Sequence, residues 1–344
     1  MSLRRKLLAG LAAVPVVVAL AACSSGGGSA GSTTASSGSA PLKVAIVLGG
    51  LKNDGGFNQI GYDSVNALAK EGKITLDVKE SVTNPTDAEP IFEQYAAQGE
   101  DLIIGWGLDF SDSVFKVAKD LPDTHFIATG SVDILDKATA NVETWTYDTA
   151  QLGYLEGYVA GLSKLSPVGV VDGQSAPFNQ TQYQALGLGL KASNPDAQQL
   201  APIFTGSWED AQLANQAAQD QISLGAKLIV TAAEGYTPGV IAAAKAAGIA
   251  TLGAANASSA DAAQVNIGLP TIDWTPTIAE IVDGLAKGEF GNKSYTSTIA
   301  NKGLVFRDIN HPAAAPQLPS DLEQQINELA NKIASGQVTL PPLG

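Results

Sequence analysis

The chain has 344 residues, 45% of them hydrophobic and 16% charged, so it is apolar enough to bury large cores and too weakly charged for a disordered chain. Its net charge of −14 disfavours binding to nucleic-acid phosphates and argues against a polybasic membrane patch. One cysteine and two histidines exclude an internal disulfide and leave little for a metal centre or a catalytic relay. We therefore expect no metal and no cofactor.

The first 22 residues have the pattern of an export signal. Arg4, Arg5 and Lys6 precede an apolar stretch at 7–22, which is interrupted by Pro15. This stretch is shorter than the roughly 20 residues that span a bilayer, so the pattern predicts a signal peptide at 1–22 rather than a membrane helix.

The only cysteine, Cys23, follows Leu20-Ala21-Ala22. This pattern resembles the lipobox of bacterial lipoproteins, in which the cysteine thiol receives a diacylglyceryl group and becomes the new first residue. Residues 23–41 are then a lipidated cysteine and a flexible tether rich in Gly, Ser, Ala and Thr. We expect the chain at the outer face of the cytoplasmic membrane, held by lipid. The alternative is a buried or incidental cysteine.

From residue 43 onward, short apolar runs alternate with helical patterns. Strand-like runs occur at 44–48, 102–104, 126–128, 168–171, 227–230 and 249–252, and helical patterns include 58–70 and 111–119. This alternation predicts an α/β fold with parallel sheets and right-handed crossovers.

An internal repeat divides the chain into two similar halves. The matching pairs are Phe57–Tyr62 with Phe178–Tyr183, Val44–Gly50 with Val168–Gln174, and Gly99–Ile104 with Gly225–Val230. Because order and spacing both hold, the repeat predicts two doubly wound lobes, whereas a solenoid would need at least three copies.

Each copy of Phe-Asn-Gln opens a helix shortly after a strand. Open α/β sheets bind ligands beyond the carboxyl ends of their strands, so Phe57 and Phe178 are predicted to face a common cleft and sandwich a flat ring. Asn58 and Asn179 would add amide donors and acceptors beside them. The alternative is that each Phe packs into its own lobe and each Asn caps its helix.

Six further side chains are candidates, because each lies in a loop that follows a strand or opens a helix. They are Trp106, Trp208, Asp54, Asp109, Asp112 and Glu234. Carboxylates in such loops accept hydrogen bonds from hydroxyls or amines of a ligand. For Asp112 the role of a helix N-cap is an equally open interpretation.

Several motifs together resemble the basic membrane protein family of substrate-binding lipoproteins, which includes purine-nucleoside-binding members. They are Asn53–Gln59, Gly105-Trp106 with Ser111-Asp112, Gly153–Ala160, Gly206–Asp210 and Gly225–Val230, and the resemblance runs from about 43 to 310. The D-x-x-F-N-Q element is the most specific of them.

The resemblance implies a type I periplasmic-binding fold, with two α/β lobes joined by three crossing segments. It also implies capture of a nucleoside or related small molecule for an ABC importer. In the family, residues matching Asp54, Phe57 and Asn58 contact the ligand, and an aromatic at the position of Trp208 completes the stacking. Partners would be the ligand and the ABC permease subunits, with no nucleic acid.

One stretch departs from the family pattern. Members commonly carry G-V-D after a second-lobe strand, where this chain has Gly253-Ala254-Ala255-Asn256. Asn256 is the candidate that stands in for the missing carboxylate. A free base, another aromatic heterocycle or a sugar therefore remains open beside a nucleoside.

The predicted first lobe comprises 42–148 and about 264–295, and the second lobe comprises 149–263 and about 296–344. We expect a monomer. Three functions are compatible with the sequence: a binding receptor, a ligand sensor built on the same lobes, and an exported hydrolase. The hydrolase is the least supported, because two histidines, one cysteine and the lack of a phosphate-binding G-K-[ST] loop remove most familiar catalytic sets. Paired carboxylates such as Asp109 and Asp112 could serve glycoside chemistry, but no spacing favours it.

Overall fold

The computed structural model of the chain describes residues 40–232, 234–253, 259–340 and 342. The predicted signal peptide, Cys23 and Asn256 lie outside the described residues. None of the helices within these ranges combines the length and the apolar composition that a bilayer crossing requires.

Twelve strands and ten helices are described in these ranges. The strands are β1 Leu42–Leu48, β2 Ile74–Lys79, β3 Leu102–Trp106, β4 His125–Thr129, β5 Val142–Tyr147, β6 Val168–Asp172, β7 Ile203–Phe204, β8 Leu228–Thr231, β9 Ala250–Leu252, β10 Leu269–Ile272, β11 Ser294–Ser297 and β12 Leu304–Arg307. The helices are α1 Phe57–Lys70, α2 Pro85–Gln98, α3 Ser111–Asp120, α4 Thr149–Leu162, α5 Pro177–Ser193, α6 Ala211–Ser223, α7 Thr237–Ala247, α8 Ala262–Val265, α9 Thr275–Ala286 and α10 Leu322–Ala334.

The first lobe is built on a six-stranded sheet in which every pair of neighbouring strands is parallel. The strand order is β2-β1-β3-β4-β5-β11. All five residues of β3, and the last five of β1, are buried. Such continuous apolar runs form because helices cover both faces of a parallel sheet.

The second lobe is built on a four-stranded parallel sheet of order β7-β6-β8-β9. This order repeats β2-β1-β3-β4 of the first sheet strand by strand. The predicted fold class is therefore confirmed: two doubly wound parallel sheets in one α/β chain. In each sheet the strand order reverses beside the first strand, β1 or β6, which is where such sheets bind ligands.

The chain passes between the lobes more than once. Helix α4 leads from β5 to β6, and the chain returns to the first sheet at β11 after β9. Strands β10 and β12 pair with each other as a small antiparallel ladder, with Leu269 opposite Arg307. Strand β11, Ser294–Ser297, forms the edge of the first sheet beside β5.

Candidate functional site

A cavity of about 650 Å³ lies between the two lobes. Both copies of the Phe-Asn pair line it, and Pro270–Ile272 of β10 line it as well. The predicted site residues in its lining are Phe57, Asn58, Asp109, Phe178, Asn179, Trp208 and Glu234. Three other predicted residues, Asp54, Trp106 and Asp112, are not part of the lining.

Phe57 is the first residue of α1 and reaches the cavity with an aromatic ring behind it. Its ring stacks on Trp106 with a centroid distance of 4.8 Å and an interplanar angle of 23°. The Trp106 Nε1–H also donates to the Phe57 carbonyl oxygen over 2.8 Å. Trp106 therefore packs against Phe57 from the core side. The half-buried Phe57 still lines the cavity.

The structure corrects the expected position of Trp106, which is fully buried and not in the cleft. Its ring packs on Trp145 at 5.0 Å and on Trp274 at 4.5 Å between centroids. The last residue of β3 points toward the face that α1 covers, where Gly61 has no side chain to keep the ring away. A strand-end position alone does not decide which face a side chain occupies.

Asp54 lies beneath the cavity, because its carboxylate is used by the start of α1. One oxygen accepts from the Gly56 and Gln59 backbone N–H groups at 2.8 and 3.0 Å. The other accepts from the Asn58 side-chain amide at 2.8 Å. Asp54 thus satisfies backbone N–H groups at the start of α1, as a capping side chain does.

Asp112 is exposed in the first turn of α3 and lies away from the cavity lining. Asp109, three residues earlier, is exposed and does line the cavity. The difference arises because Asp109 belongs to the loop after β3, whereas Asp112 lies on the helix that leads away from the strand ends.

Asn179 is buried and connects the start of α5 to the end of β6. Its Nδ2–H donates to Asp172 over 2.7 Å, and its Oδ1 accepts from the Ala176 backbone N–H over 3.1 Å. Asp172 also accepts from the Tyr183 hydroxyl and, at 3.3 Å, from the Tyr236 hydroxyl. Burial raises the pKa of Asp172 to about 6, while these hydrogen bonds act in the opposite direction.

Trp208 lies on the second-lobe wall of the cavity. Its indole covers Gly173 so closely that a Cβ at that glycine would overlap the ring. The ring also packs beside the buried cluster formed by β6, α6 and α7. Phe57 and Trp208 thus line one cavity from different lobes.

A family model described as "ABC transporter substrate-binding protein PnrA-like", named Bmp, matches residues 42–343. The chain belongs to the Bmp family. Proteins of the Bmp family are substrate-binding proteins rather than enzymes, and they work outside the cytoplasm with a small-molecule ligand and a permease.

Curated relatives agree with membership of the Bmp family. Basic membrane protein A2 of Borrelia garinii subsp. bavariensis is 24% identical over 302 residues, which cover 87% of this chain and 88% of that protein. A Haloferax volcanii protein named "Putative ABC transporter glucose-binding protein TsgA13" is 28% identical over 208 residues, or 60% of this chain. The aligned part covers about half of that relative's length, 51%.

A solved structure shares the architecture across nearly its whole length. It is an ABC transporter solute-binding protein from Conexibacter woesei DSM 14684, 35% identical to this chain with a TM-score of 0.78. The match covers 87% of this chain and 98% of that one.

The lining of this Bmp cavity is acidic. Its acidic residues are Asp109, Glu156, Glu209 and Glu234, and no lysine, arginine or histidine is among the described residues that line it. Anionic ligands such as phosphate esters would find no cation among these lining residues, so the cavity favours neutral or cationic molecules.

The lining residues that sequence reasoning missed include Tyr147, Glu156, Gln182 and Glu209. Glu156 offered a usable signal, because it is the only charged residue in α4, an otherwise apolar and almost wholly buried helix. A carboxylate in such a helix requires a partner or a function. Gln182 lies in the second copy of the repeat, where the first copy has Gly61, so the comparison of the two copies gave no hint of it.

Proposed function

We propose that this chain is a lipid-anchored, extracytoplasmic receptor of an ABC importer that captures a purine nucleoside or a related flat, uncharged molecule. The observation that carries the proposal is the cavity between the lobes. Both copies of the Phe-Asn repeat and Trp208 line this cavity together with acidic side chains, and none of its described lining residues is basic. Aromatic faces bind the flat ring, and carboxylates accept hydrogen bonds from ribose hydroxyls.

The receptor binds its ligand without transforming it. Closure of the lobes on the ligand is stabilised by contacts that the ligand makes to both lobes at once. Incubation with nucleosides or glycosides followed by mass spectrometry should return them unchanged, and turnover would contradict this part of the proposal.

Lipid on Cys23 would keep the receptor near its permease and raise its local concentration there. Cys23 lies outside the described residues, so the proposal rests on the lipobox-like sequence alone. Cys23→Ser should abolish labelling with radioactive palmitate and release the chain from membranes.

A sugar ligand is the second candidate. It is favoured by the Haloferax relative, whose name states glucose binding, and by the exposed carboxylates of Asp109 and Glu209 in the cavity lining. Stabilisation of the fold by sugars but not by nucleosides would select this candidate.

The deciding experiment is calorimetric titration of nucleosides, free bases, sugars and nucleotides into the purified protein. We expect nucleosides to bind and nucleotides to fail, because no described basic side chain lines the cavity. Phe57→Ala and Phe178→Ala should each weaken nucleoside binding by roughly 10- to 100-fold through loss of aromatic contact area.

Leu188→Ala is the matched control, since Leu188 lies on α5 with Phe178 but is 52% exposed and outside the cavity lining. Its affinity should equal that of the unmodified protein. If both phenylalanine variants fold, as verified by thermal melting, and bind nucleosides with unchanged affinity, the ligand does not stack between Phe57 and Phe178.

A further inference from the structure

A small side pocket opens at the edge of the cavity between the lobes. Its volume is about 10 Å³, which is room for one water-sized group. Leu108, Ser131, Tyr147 and Phe178 line both the side pocket and the cavity, so the two spaces adjoin. Phe178 comes from the second lobe and the other three residues come from the first, so the side pocket forms where the lobes meet.

The ends of three neighbouring strands build the side pocket. Leu108 follows β3, Ser131 follows β4 and Tyr147 ends β5, and these strands lie side by side in the first sheet. Open α/β sheets bind ligands beyond the carboxyl ends of their strands. Thr146 on β5 and Thr149, the first residue of α4, also line the side pocket, so together with Ser131 they bring three hydroxyl groups to it.

The two threonine side chains are buried and have no partner within the described chain. Thr146 is 4% exposed and Thr149 is 6% exposed. Thr144, two residues earlier on β5, donates to the Ser294 Oγ over 2.7 Å, whereas no hydrogen bond to another described residue uses the hydroxyl of Thr146 or Thr149. Because buried polar groups in folded proteins are almost always hydrogen-bonded, these hydroxyls indicate a partner from outside the chain.

The lining of the side pocket indicates the chemistry of that partner. None of the described residues that line it is charged, so a charged group would be buried there without compensation. Threonine hydroxyls both donate and accept hydrogen bonds, and a ligand hydroxyl does the same. Because the volume admits one water-sized group, the terminal oxygen of a short arm fits and a phosphate does not.

We propose that the side pocket is a subsite for a primary alcohol of the ligand, whose oxygen exchanges hydrogen bonds with the hydroxyls of Thr146 and Thr149. The inference rests on the proposed function, since it assumes that the rest of the ligand occupies the cavity. The hydroxymethyl group of a ribose and that of a hexose share this chemistry. Phe178 borders both spaces, so a ligand that contacts this ring lies beside the side pocket.

Calorimetric titrations of two matched pairs of probes test the subsite: adenosine with 5′-deoxyadenosine, and glucose with 6-deoxyglucose. The second member of each pair lacks only the hydroxyl oxygen and places a methyl group against the buried threonine hydroxyls. In the pair that binds, the member with the hydroxyl should bind at least about tenfold more tightly. The adenosine pair identifies a ribose as the source of the alcohol, and the glucose pair identifies a hexose.

Valine variants separate recognition from structure, because valine has the shape of threonine without its hydroxyl. Thr146→Val and Thr149→Val should each lower the preference for the hydroxyl by roughly threefold or more, and neither should weaken binding of the deoxy probe. Thr277→Val is the matched control. Thr277 is 8% exposed in the first turn of α9 and lines neither space, so the preference should stay unchanged.

A third probe decides the question if both valine variants fail to fold. An O-methyl group on the same alcohol, as in 5′-O-methyladenosine or 6-O-methylglucose, adds a carbon that the side pocket has no room for. The unmodified protein should bind the O-methyl probe at least about tenfold more weakly than the free alcohol.

Equal affinity of the unmodified protein for both members of a binding pair would overturn the subsite and leave the receptor function intact, with the side pocket holding only a water molecule. An unchanged preference in both folded valine variants would do the same. Binding of the glucose pair alone, with the preference for the hydroxyl, would support the subsite and overturn the nucleoside proposal. Failure of the folded protein to bind any of these probes would overturn the subsite together with the proposed ligand classes.

Discussion

At the residue scale, the two asparagines of the repeat make equivalent contacts in the two lobes. Asn58 donates to Asp54 and accepts from the Gly50 backbone N–H at 3.0 Å, as Asn179 donates to Asp172 and accepts from Ala176. Each amide thus joins the first turn of a helix to a carboxylate in its own lobe. Both asparagines also line the cavity, so these contacts are compatible with a place in the cleft.

Glu156 links the site to the pH dependence of stability. Because folding raises the pKa of this group from 4.5 to about 8, the folded state binds the proton more tightly than the unfolded chain. Its contribution to stability is therefore fully present below about pH 4.5 and is lost as the pH rises to about 8.

Glu156→Gln should remove this loss. Between pH 5 and pH 8, the free energy of unfolding of the variant should rise relative to that of the unmodified protein by roughly 3–5 kcal/mol, since each pKa unit corresponds to about 1.4 kcal/mol. Urea unfolding at the two pH values measures the difference. An identical pH dependence in both proteins would contradict the raised pKa.

At the element scale, the tight packing of α4 on α5 depends on glycine. Gly157→Ala places a methyl group against the carbonyl oxygen of Leu186, so the two helices must separate. We expect a loss of roughly 2–3 kcal/mol in unfolding free energy, in the range typical of overpacked cores. Chemical denaturation of the purified variant gives the value.

Gly284→Ala is the matched control, because Gly284 also lies inside a helix, α9, and a Cβ there would meet only the Lys293 Nζ at 3.7 Å. It should raise stability by about 0.5–1 kcal/mol through reduced freedom of the unfolded chain. Equal effects of the two substitutions would show that helix propensity, and not the contact between helices, governs Gly157.

At the scale of the whole molecule, Glu234 connects the lobes. Its carboxyl group, which follows β8 in the second lobe, lies close enough to the Phe57 backbone N–H, at the start of α1 in the first lobe, for that N–H to lower its pKa. A helix N-terminus favours such a carboxylate. Burial and the nearby carboxylates of Asp54, Asp172 and Glu209 nevertheless raise the pKa of Glu234 well above its usual range.

Closure of the lobes should therefore take up a proton. The raised pKa exists only while Glu234 is enclosed, so the closed arrangement is favoured at low pH and weakened as the pH rises through that pKa. Small-angle X-ray scattering of the ligand-free protein should show a larger radius of gyration at pH 9 than at pH 5.5.

Glu234→Gln should reduce that change, because an amide does not titrate. Asp112→Asn serves as the control, since Asp112 is exposed on α3 and outside the cavity lining. If the radius of gyration of Glu234→Gln increases between pH 5.5 and pH 9 as much as that of the unmodified protein, the titration of Glu234 does not control closure of the lobes.

Local patterns were sufficient for much of the architecture. The apolar runs at 44–48 and 168–171 became β1 and β6, and the helix expected at 58–70 begins one residue earlier, at Phe57. The internal repeat of the sequence correctly predicted two sheets with the same order of their first four strands. These features follow from periodicity and turn residues close together in the chain, so they can be read without knowledge of distant contacts.

The placement of individual side chains was decided by contacts between residues far apart in sequence. Trp106 is buried because Gly61 and Trp274 leave room for its ring on the core side of β3. Glu156 and Gln182 form a pair because glycines let two helix backbones meet. The sequence alone determined two α/β lobes with a Phe-Asn helix start in each, whereas tertiary packing decided which aromatic and acidic groups face the cavity, because that depends on what occupies the opposite face of each element.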